Sequence, residues 1–267
     1  MNHRCWGYRD VAPRAPRPAP VFGGKMTTLL KPLGGLLPGA VVENILGADA
    51  VASTWTPLSV AALQVWGRAD SASSSPVTAL VDRSAYGHNF TMAAAGPAWS
   101  ATGASGGQAD LVFTSGSTQG LTTTSFSPGI GTGDISMAAV LRCTDVTRGS
   151  NYFALFGGFE TGLSASQFVG YLGSAGTKSF ATAPVSGKWY SILMQRVSGV
   201  VELWINGVKD VNTFTSSWSI GSSSFAAGYD GGNYFGGDLP EFWMASQSLE
   251  PADITGWFAY THARYGI

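Results

Sequence analysis

The sequence predicts an all-β protein: a sandwich of two antiparallel sheets, preceded by an extended N-terminal arm and closed by a short C-terminal helix. Charged residues make up only 12% of the 267 residues, hydrophobic residues make up 45%, and there are 36 glycines. This balance is typical of loop-rich β proteins and departs from the usual charged share of a globular domain. From Trp55 onward, short β-rich runs alternate with turns of Gly, Ser, Asn and Asp, which is the pattern of a sandwich or barrel.

The first 56 residues predict an arm that stands outside the sandwich. Residues 1–25 are rich in Pro and Arg and have little to bury, so they are either extended or disordered, or they precede a true start at Met26. Residues 26–56 are apolar, but prolines and glycines interrupt them, which rules out a long helix or a central strand. This part of the arm either folds back on its own domain or, as we favour, docks on a partner chain.

Ten strands are expected in the domain that spans residues 57–267. They are Leu63–Trp66, Ala109–Phe113, Gly120–Thr123, Ile135–Arg142, Asn151–Gly157, Gln167–Leu172, Trp189–Val197, Val200–Ile205, Ser219–Gly221 and Asp238–Ala245. The clearest pair lies within residues 191–209, where a turn at Ser198-Gly199 joins two strands. The second of these strands ends at Asn206-Gly207, the strongest short hairpin signal in a sequence.

One helix is predicted, and it closes the chain. Pro251 stands early in it, where a helix accepts proline because the amide of the first turn needs no partner. Ile254, Trp257, Phe258 and Thr261 then recur at helical spacing. The helix therefore has one apolar face to pack against the sandwich.

Five motifs follow one another from about residue 55 to residue 267. They are WTPLSVAALQVWGRADSAS, VTALVDRSAYGHNFTM, DLVFTSGSTQGLTT, KWYSILMQRVSGVVELWINGVKD and AAGYDGGNYFGGDLPEFWMASQSLEPADITGWFAYTHARYG. Together they resemble the concanavalin A-like lectin/glucanase fold in its laminin-G-like version, although Val81 replaces the usual Trp of the second motif while Asp82, Ser84, Gly87 and Asn89 stay in register. The resemblance implies a jelly-roll sandwich whose closing strand lies beside its opening strand.

The same resemblance carries our expectation of function. Such a domain behind a short apolar arm is similar to virion proteins of tailed bacteriophages. We therefore expect a virion structural protein, namely a capsid decoration protein, head fibre or tail fibre, that is anchored to other virion proteins by its arm. The alternative is a secreted or surface carbohydrate-binding lectin module, which would be extracellular. In either case we expect a homo-oligomer or part of a larger assembly.

An enzyme is not expected. Glucanases with this fold carry two catalytic carboxylates in an E-x-D-x-x-E triplet on one strand, and the sequence holds no such triplet. The nearest candidate is Asp238 with Glu241, but three residues along a strand place their side chains on opposite faces. We expect Glu241 to pair with a turn backbone or a basic residue.

A Gly-rich loop, GYDGGNYFGGD, is the candidate sugar site. Tyr229, Asp230, Asn233 and Tyr234 combine flat aromatic faces with hydrogen-bonding groups on a backbone that glycines let approach a ligand. The alternative is that Tyr234 and Phe235 plug the edge of the sandwich.

Few other ligands are indicated. We expect no cofactor; calcium is the alternative that the laminin-G resemblance implies, with Asp70, Asp82 and Asp230 as ligands. The net charge of −1 gives no reason to expect nucleic acid, and no apolar run is long enough to predict a membrane span. Cys5 and Cys143 are expected to be free thiols.

Overall fold

The computed structural model describes residues 54–147 and 151–267. The predicted arm, residues 1–56, lies outside the described residues except for its last three. A start at Met26, the docking of the arm on a partner chain and the boundary of the arm at residue 56 therefore stay predictions. Trp55, inside the predicted arm, belongs to the packed domain: its indole lies 6.2 Å from that of Trp257 and its Nε1 donates to the Asp253 carboxylate at 2.9 Å.

Nineteen strands and one α-helix make up the regular structure of the described residues. The strands are β1 (Leu63–Arg68), β2 (Ala79–Leu80), β3 (Phe90–Met92), β4 (Ala98–Ser100), β5 (Asp110–Phe113), β6 (Leu121–Thr123), β7 (Ile135–Cys143), β8 (Asn151–Phe156), β9 (Phe159–Ser164), β10 (Gln167–Leu172), β11 (Thr177–Ser179), β12 (Trp189–Val197), β13 (Val200–Ile205), β14 (Val208–Lys209), β15 (Phe214–Thr215), β16 (Phe225–Ala227), β17 (Tyr229–Asp230), β18 (Asn233–Tyr234) and β19 (Gly237–Ala245). The helix is α1 (Pro251–Tyr265), and short 3-10 turns occupy Pro57–Ser59, Ala69–Ser71, Ser105–Gly107 and Gly173–Ala175.

The strands form two large antiparallel sheets, which confirms the predicted sandwich. The nine-stranded sheet runs β14-β13-β12-β7-β19-β5-β4, with β1 paired to β19 and β15 paired to β13. The eight-stranded sheet runs β11-β10-β9-β8-β16-β6-β3-β2, and β17 with β18 forms a separate hairpin. The opening strand β1 lies beside the closing strand β19, as the resemblance implied.

The space between the sheets is filled by large apolar side chains from both. Phe90 and Phe225 come from the eight-stranded sheet and Phe242 from the nine-stranded sheet, and the ring of Phe242 lies 5.3 Å from Phe90 and 5.9 Å from Phe225. All three are fully buried. Alternating side chains of each strand supply this inner layer, because successive residues of a strand face opposite sides.

A second apolar layer covers the outer face of the nine-stranded sheet. Helix α1 places Trp257 edge-on against Trp243, with ring centroids 5.5 Å apart. Strand β7 is therefore buried on both faces, and its sequence, ISMAAVLRC, is an apolar run with little alternation. Among the described residues, no helix is long and apolar enough to cross a membrane.

Nine of the ten expected strands are confirmed. The expected strand at Ser219–Gly221 is wrong, because Ile220 there makes only an isolated bridge to Gly131. The turns at Ser198-Gly199 and Asn206-Gly207 join β12 to β13 and β13 to β14 as expected. Ser198 and Asn206 adopt φ values of 50° and 49°, the left-handed conformation that such tight turns require.

Candidate functional site

The predicted sugar loop is a small hairpin, which we call the tyrosine hairpin (residues 229–234). Strands β17 and β18 pair with Tyr229 opposite Tyr234 and Asp230 opposite Asn233, leaving Gly231 and Gly232 at the tip. All four residues predicted for sugar binding therefore lie on this one element. A Gly-Gly pair between two short polar-aromatic runs is a two-residue hairpin signal, so the sequence contained the information to predict this turn.

The two tyrosine rings form a half-buried pair on the hairpin. Their centroids lie 5.5 Å apart and their planes are tilted by 33°. Residues directly opposite on paired strands share a face, which is why the rings meet. The next residue, Phe235, is fully buried in the core, 5.9 Å from Phe113 and 5.7 Å from Phe153. Phe235 thus fills the end of the core, whereas the tyrosine pair keeps part of its surface in solvent.

Two glycines allow the hairpin to sit close to the sandwich. A Cβ on Gly228 would lie 2.2 Å from the ring of Phe113, and one on Gly120 would lie 2.3 Å from the Cβ of Tyr229. The amide of Gly228 donates to the carbonyl of Phe153 at 3.2 Å, and the amide of Phe235 donates to the carbonyl of Gly228 at 3.0 Å. The tyrosine pair is therefore fixed to strand β8 at the rim of the sandwich.

Asp82, one of the three predicted calcium ligands, organises a turn. Its carboxylate accepts from the amides of Trp66, Ser84 and His88 at 2.7–2.9 Å and from the Ser84 hydroxyl at 2.7 Å. Asn89 closes the turn by accepting from the Asp82 amide at 3.0 Å. The resemblance motif around Asp82 therefore has a structural reason, which is to tie the turn to strand β1.

Asp70, the second predicted ligand, is surrounded by cations. Its carboxylate lies 2.7 Å from Arg68, 2.9 Å from Arg83 and 3.2 Å from Arg264. The third, Asp230, is on the tyrosine hairpin. Among the described side chains, no group of three or more His, Cys, Asp or Glu is arranged to hold a metal ion. Calcium binding stays a prediction that these contacts do not support.

Glu241 is a buried carboxylate that has the expected basic neighbour, Arg264, but its hydrogen-bond donors are side chains and not a turn backbone. It accepts from Trp66 Nε1 at 2.7 Å, from the Tyr260 hydroxyl at 3.0 Å and from the Tyr265 hydroxyl at 2.8 Å. Burial raises its pKa, and these donors act in the opposite direction. Glu241 thus joins helix α1 to the nine-stranded sheet, with the nearest basic atom, Arg264 Nε, 3.9 Å away.

Asp110 and Asp238 form a carboxylate pair that sequence motifs missed, because the two residues lie on different strands. Asp110 is fully buried on β5, and Asp238 on β19 is bound by Arg142 Nε at 2.5 Å. Burial first, and the neighbouring Asp238 second, raise the pKa of Asp110 to about 8. Asp110 therefore holds a proton at neutral pH, while Arg142 binds the Asp238 side chain.

Known proteins resemble this chain in structure more than in sequence. No family model and no curated protein matches the sequence. Domain 4 of a GH43 extracellular arabinanase from Geobacillus stearothermophilus, solved with arabinotriose, is 16% identical over 74% of this chain and 98% of its own, with a TM-score of 0.56. Botulinum neurotoxin type C is 14% identical over 74% of this chain and 50% of its own, with a TM-score of 0.53.

A sialidase from Trypanosoma rangeli, solved with the inhibitor DANA, is 14% identical over 79% of this chain, with a TM-score of 0.55. This chain spans 35% of the sialidase and about half of the neurotoxin chain. At such identities these likenesses show the fold. The chain therefore has a lectin-like jelly-roll sandwich of the kind found in these carbohydrate-active and ganglioside-binding proteins.

The prediction that the chain is not an enzyme is wrong. The fold occurs in domain 4 of the arabinanase and in part of the sialidase, and both proteins are glycoside hydrolases, so possession of this fold is no ground for excluding an enzyme. The prediction rested on the missing E-x-D-x-x-E triplet, which describes only one way to place two carboxylates. Asp110 and Asp238 show that carboxylates from separate strands meet in this fold without any such motif.

Proposed function

We propose that this chain is a glycan-binding, lectin-like module whose contact surface is the tyrosine hairpin. One observation carries the proposal: two half-exposed tyrosine rings lie 5.5 Å apart on a hairpin that glycine contacts hold against the sandwich. The core is already filled by Phe235, so the tyrosine pair is not needed to close it.

Tyrosine suits this role for physical reasons. A sugar ring presents a face of C–H groups that packs on a flat aromatic ring, and the tyrosine hydroxyl can bond a sugar hydroxyl at the same time. Tyrosine also loses little conformational entropy when it binds, which is why binding loops use it with Gly and Asn. The tyrosine hairpin supplies this combination at a rim of the sandwich, where loops carry function.

Two of the structural likenesses support the proposal. The arabinanase domain was solved in complex with arabinotriose, and the neurotoxin interacts with two ganglioside molecules. Both ligands are carbohydrates or carry them. The sequence resemblance to bacteriophage virion proteins adds a setting, the virion surface, with a host glycan as the ligand; an extracellular lectin is the alternative setting.

The test is a glycan array probed with the full chain, followed by titration of each hit against two variants. Tyr229→Ala and Tyr234→Ala should each weaken binding at least tenfold, because each removes one of the two ring faces. Tyr86→Ala is the matched control, since it removes an exposed tyrosine from a different loop and should bind like the wild type.

Three results would contradict the proposal. A wild-type chain with no hit on the array removes the glycan-binding function. Hits that bind both hairpin variants with unchanged affinity keep the function but remove this site. A Tyr229→Ala variant that binds normally but melts several degrees lower shows a packing role, since loss of a buried aromatic costs about 3–5 kcal/mol.

A further inference from the structure

A groove lies at another rim of the sandwich, where the two large sheets approach each other. Its volume is about 370 Å³, which is in the range of small-ligand sites. One wall is the 3-10 turn Gly173–Ala175 after strand β10, and the other is the Ser198-Gly199 turn together with the segment 215–218. None of these residues belongs to the tyrosine hairpin.

We call this groove the Trp218 groove, because the indole of Trp218 lines it. Packing and a hydrogen bond fix the position of this indole. A Cβ on Gly173 would lie 2.0 Å from the indole, and one on Gly158 would lie 2.9 Å from its Nε1. The indole therefore packs directly against the backbone at Gly158 and Gly173, where no side chain intervenes. Its Nε1 donates to the carbonyl of Gly157 at 2.8 Å, which sets the rotation of the ring.

A buried arginine holds the backbone beneath the tryptophan. Arg196 is fully buried and donates to the carbonyls of Trp218 at 2.6 Å, Gly131 at 3.2 Å and Gly133 at 2.9 Å. Its hydrogen bonds to three separate points of the chain fix the loop before any ligand arrives. Such preorganisation lowers the entropy lost on binding.

The rest of the lining carries no charge and mixes hydroxyl residues with the apolar residues Leu172, Ala175 and Val200. Hydroxyl side chains dominate it: Ser174, Ser198, Thr215, Ser216 and Ser217. The hydroxyls of Ser174, Ser198, Thr215 and Ser217 make no hydrogen bond to any other described residue, and all four residues are exposed. An anionic ligand would find no cation in this lining, whereas a neutral polyhydroxylated ligand would find one aromatic face and several hydroxyl partners.

We propose that the Trp218 groove is a second saccharide site and that it takes a neutral sugar unit. The indole supplies the stacking face, and the serine and threonine hydroxyls bond the sugar hydroxyls. The proposal goes beyond the tyrosine hairpin, and each of the two sites can fail without the other.

The experiment is NMR titration of the ¹⁵N-labelled full chain with neutral disaccharides (lactose, maltose, cellobiose and xylobiose), each as a single probe. At least one probe should shift the indole N–H signal of Trp218 and the amide signals of the Ser198-Gly199 turn. With 3′-sialyllactose in place of lactose, affinity should fall at least tenfold if lactose is the binding probe, because the added carboxylate meets no cation.

Two variants separate binding from folding. Trp218→Ala should abolish the shifts, but it also removes a packed indole. Ser174→Glu changes an exposed position, so the fold should persist while the longer charged side chain obstructs the groove and weakens binding at least tenfold. Trp204→Ala, which removes a half-buried tryptophan outside the groove, should show the same shifts of the groove signals as the wild type.

The proposal is overturned if none of the four probes shifts signals of the groove, or if Ser174→Glu binds as tightly as the wild type. Equal affinity for lactose and 3′-sialyllactose would overturn the preference for neutral sugars. Shifts confined to residues 229–234 would assign the sugar to the tyrosine hairpin alone.

Discussion

Two buried carboxylates, Glu241 on strand β19 and Asp110 on the neighbouring strand β5, have different surroundings. Glu241 is fully buried, but both of its carboxylate oxygens accept hydrogen bonds from hydroxyl or indole donors. Asp110 is equally buried, yet its neighbour is the carboxylate of Asp238. Burial raises the pKa of both, but only Asp110 also has a like charge beside it. For Glu241 the donors oppose part of the effect of burial, whereas for Asp110 the neighbouring Asp238 adds to it.

The largest effect on stability should follow from removing the carboxylate of Glu241. Glu241→Ala leaves Trp66, Tyr260 and Tyr265 without their buried acceptor, which should destabilise the fold by about 3–5 kcal/mol. Urea unfolding measures this. Glu241→Gln, which keeps the volume and one acceptor oxygen, should lose less. A stability equal to that of the wild type would show that helix α1 is held by its apolar face alone.

The second-largest effect should be the dependence of the fold's stability on pH that the ionisation of Asp110 causes. Asp110 releases its proton near pH 8 in the fold but near its ordinary pKa of 3.8 in the unfolded chain. The fold therefore binds more protons than the unfolded chain between about pH 4 and pH 8, and stability falls as pH rises through this window. From pH 6 to pH 7.5 the loss is about 2 kcal/mol, at about 1.4 kcal/mol per pH unit for one proton.

Asp110→Asn should flatten this slope, because an amide cannot ionise. Thermal melts of wild type and variant from pH 5 to pH 9 measure it. Asp238→Asn should flatten the slope as well, but at lower overall stability, since Arg142 then loses its partner. Parallel curves for the wild type and Asp110→Asn would show that Asp110 ionises normally within the fold.

The smallest effect should come from Glu202, a buried carboxylate whose cation lies at the surface. Lys209 contacts Glu202, and the side chain of Lys209 is 43% exposed. Burial raises the pKa of Glu202, while Lys209, Gln195 and Trp204 lower it, with a net lowering. Lys209→Ala should cost less than about 1 kcal/mol, because water screens the pair and two other donors remain. A loss as large as that of Glu241→Ala would mean that this cation, rather than the neutral donors, stabilises Glu202.

The strands that sequence reasoning missed are those with weak local signals. Strand β9 reads FETGLS, in which a glycine and two hydroxyl residues hide the alternation, and strands β2, β14, β15, β17 and β18 have only two residues each. A two-residue strand exists because a neighbour pairs with it. By contrast β12 and β13 form a hairpin whose alternation and turn residues are contiguous, so the pattern alone predicted it.

The sequence by itself determined the two-sheet sandwich, the helix that closes it, the turns at Ser198-Gly199 and Asn206-Gly207, and the grouping of tyrosines around Gly231-Gly232. All of these depend on neighbours along the chain, whose side-chain periodicity and backbone preferences are local. Only the tertiary structure decided that Phe235 and not Tyr234 enters the core, that Asp110 meets Asp238, and that Trp218 rests on Gly158 and Gly173. Those contacts join residues 45 to 128 positions apart, and no local pattern encodes which distant surfaces the packing of two sheets will bring together.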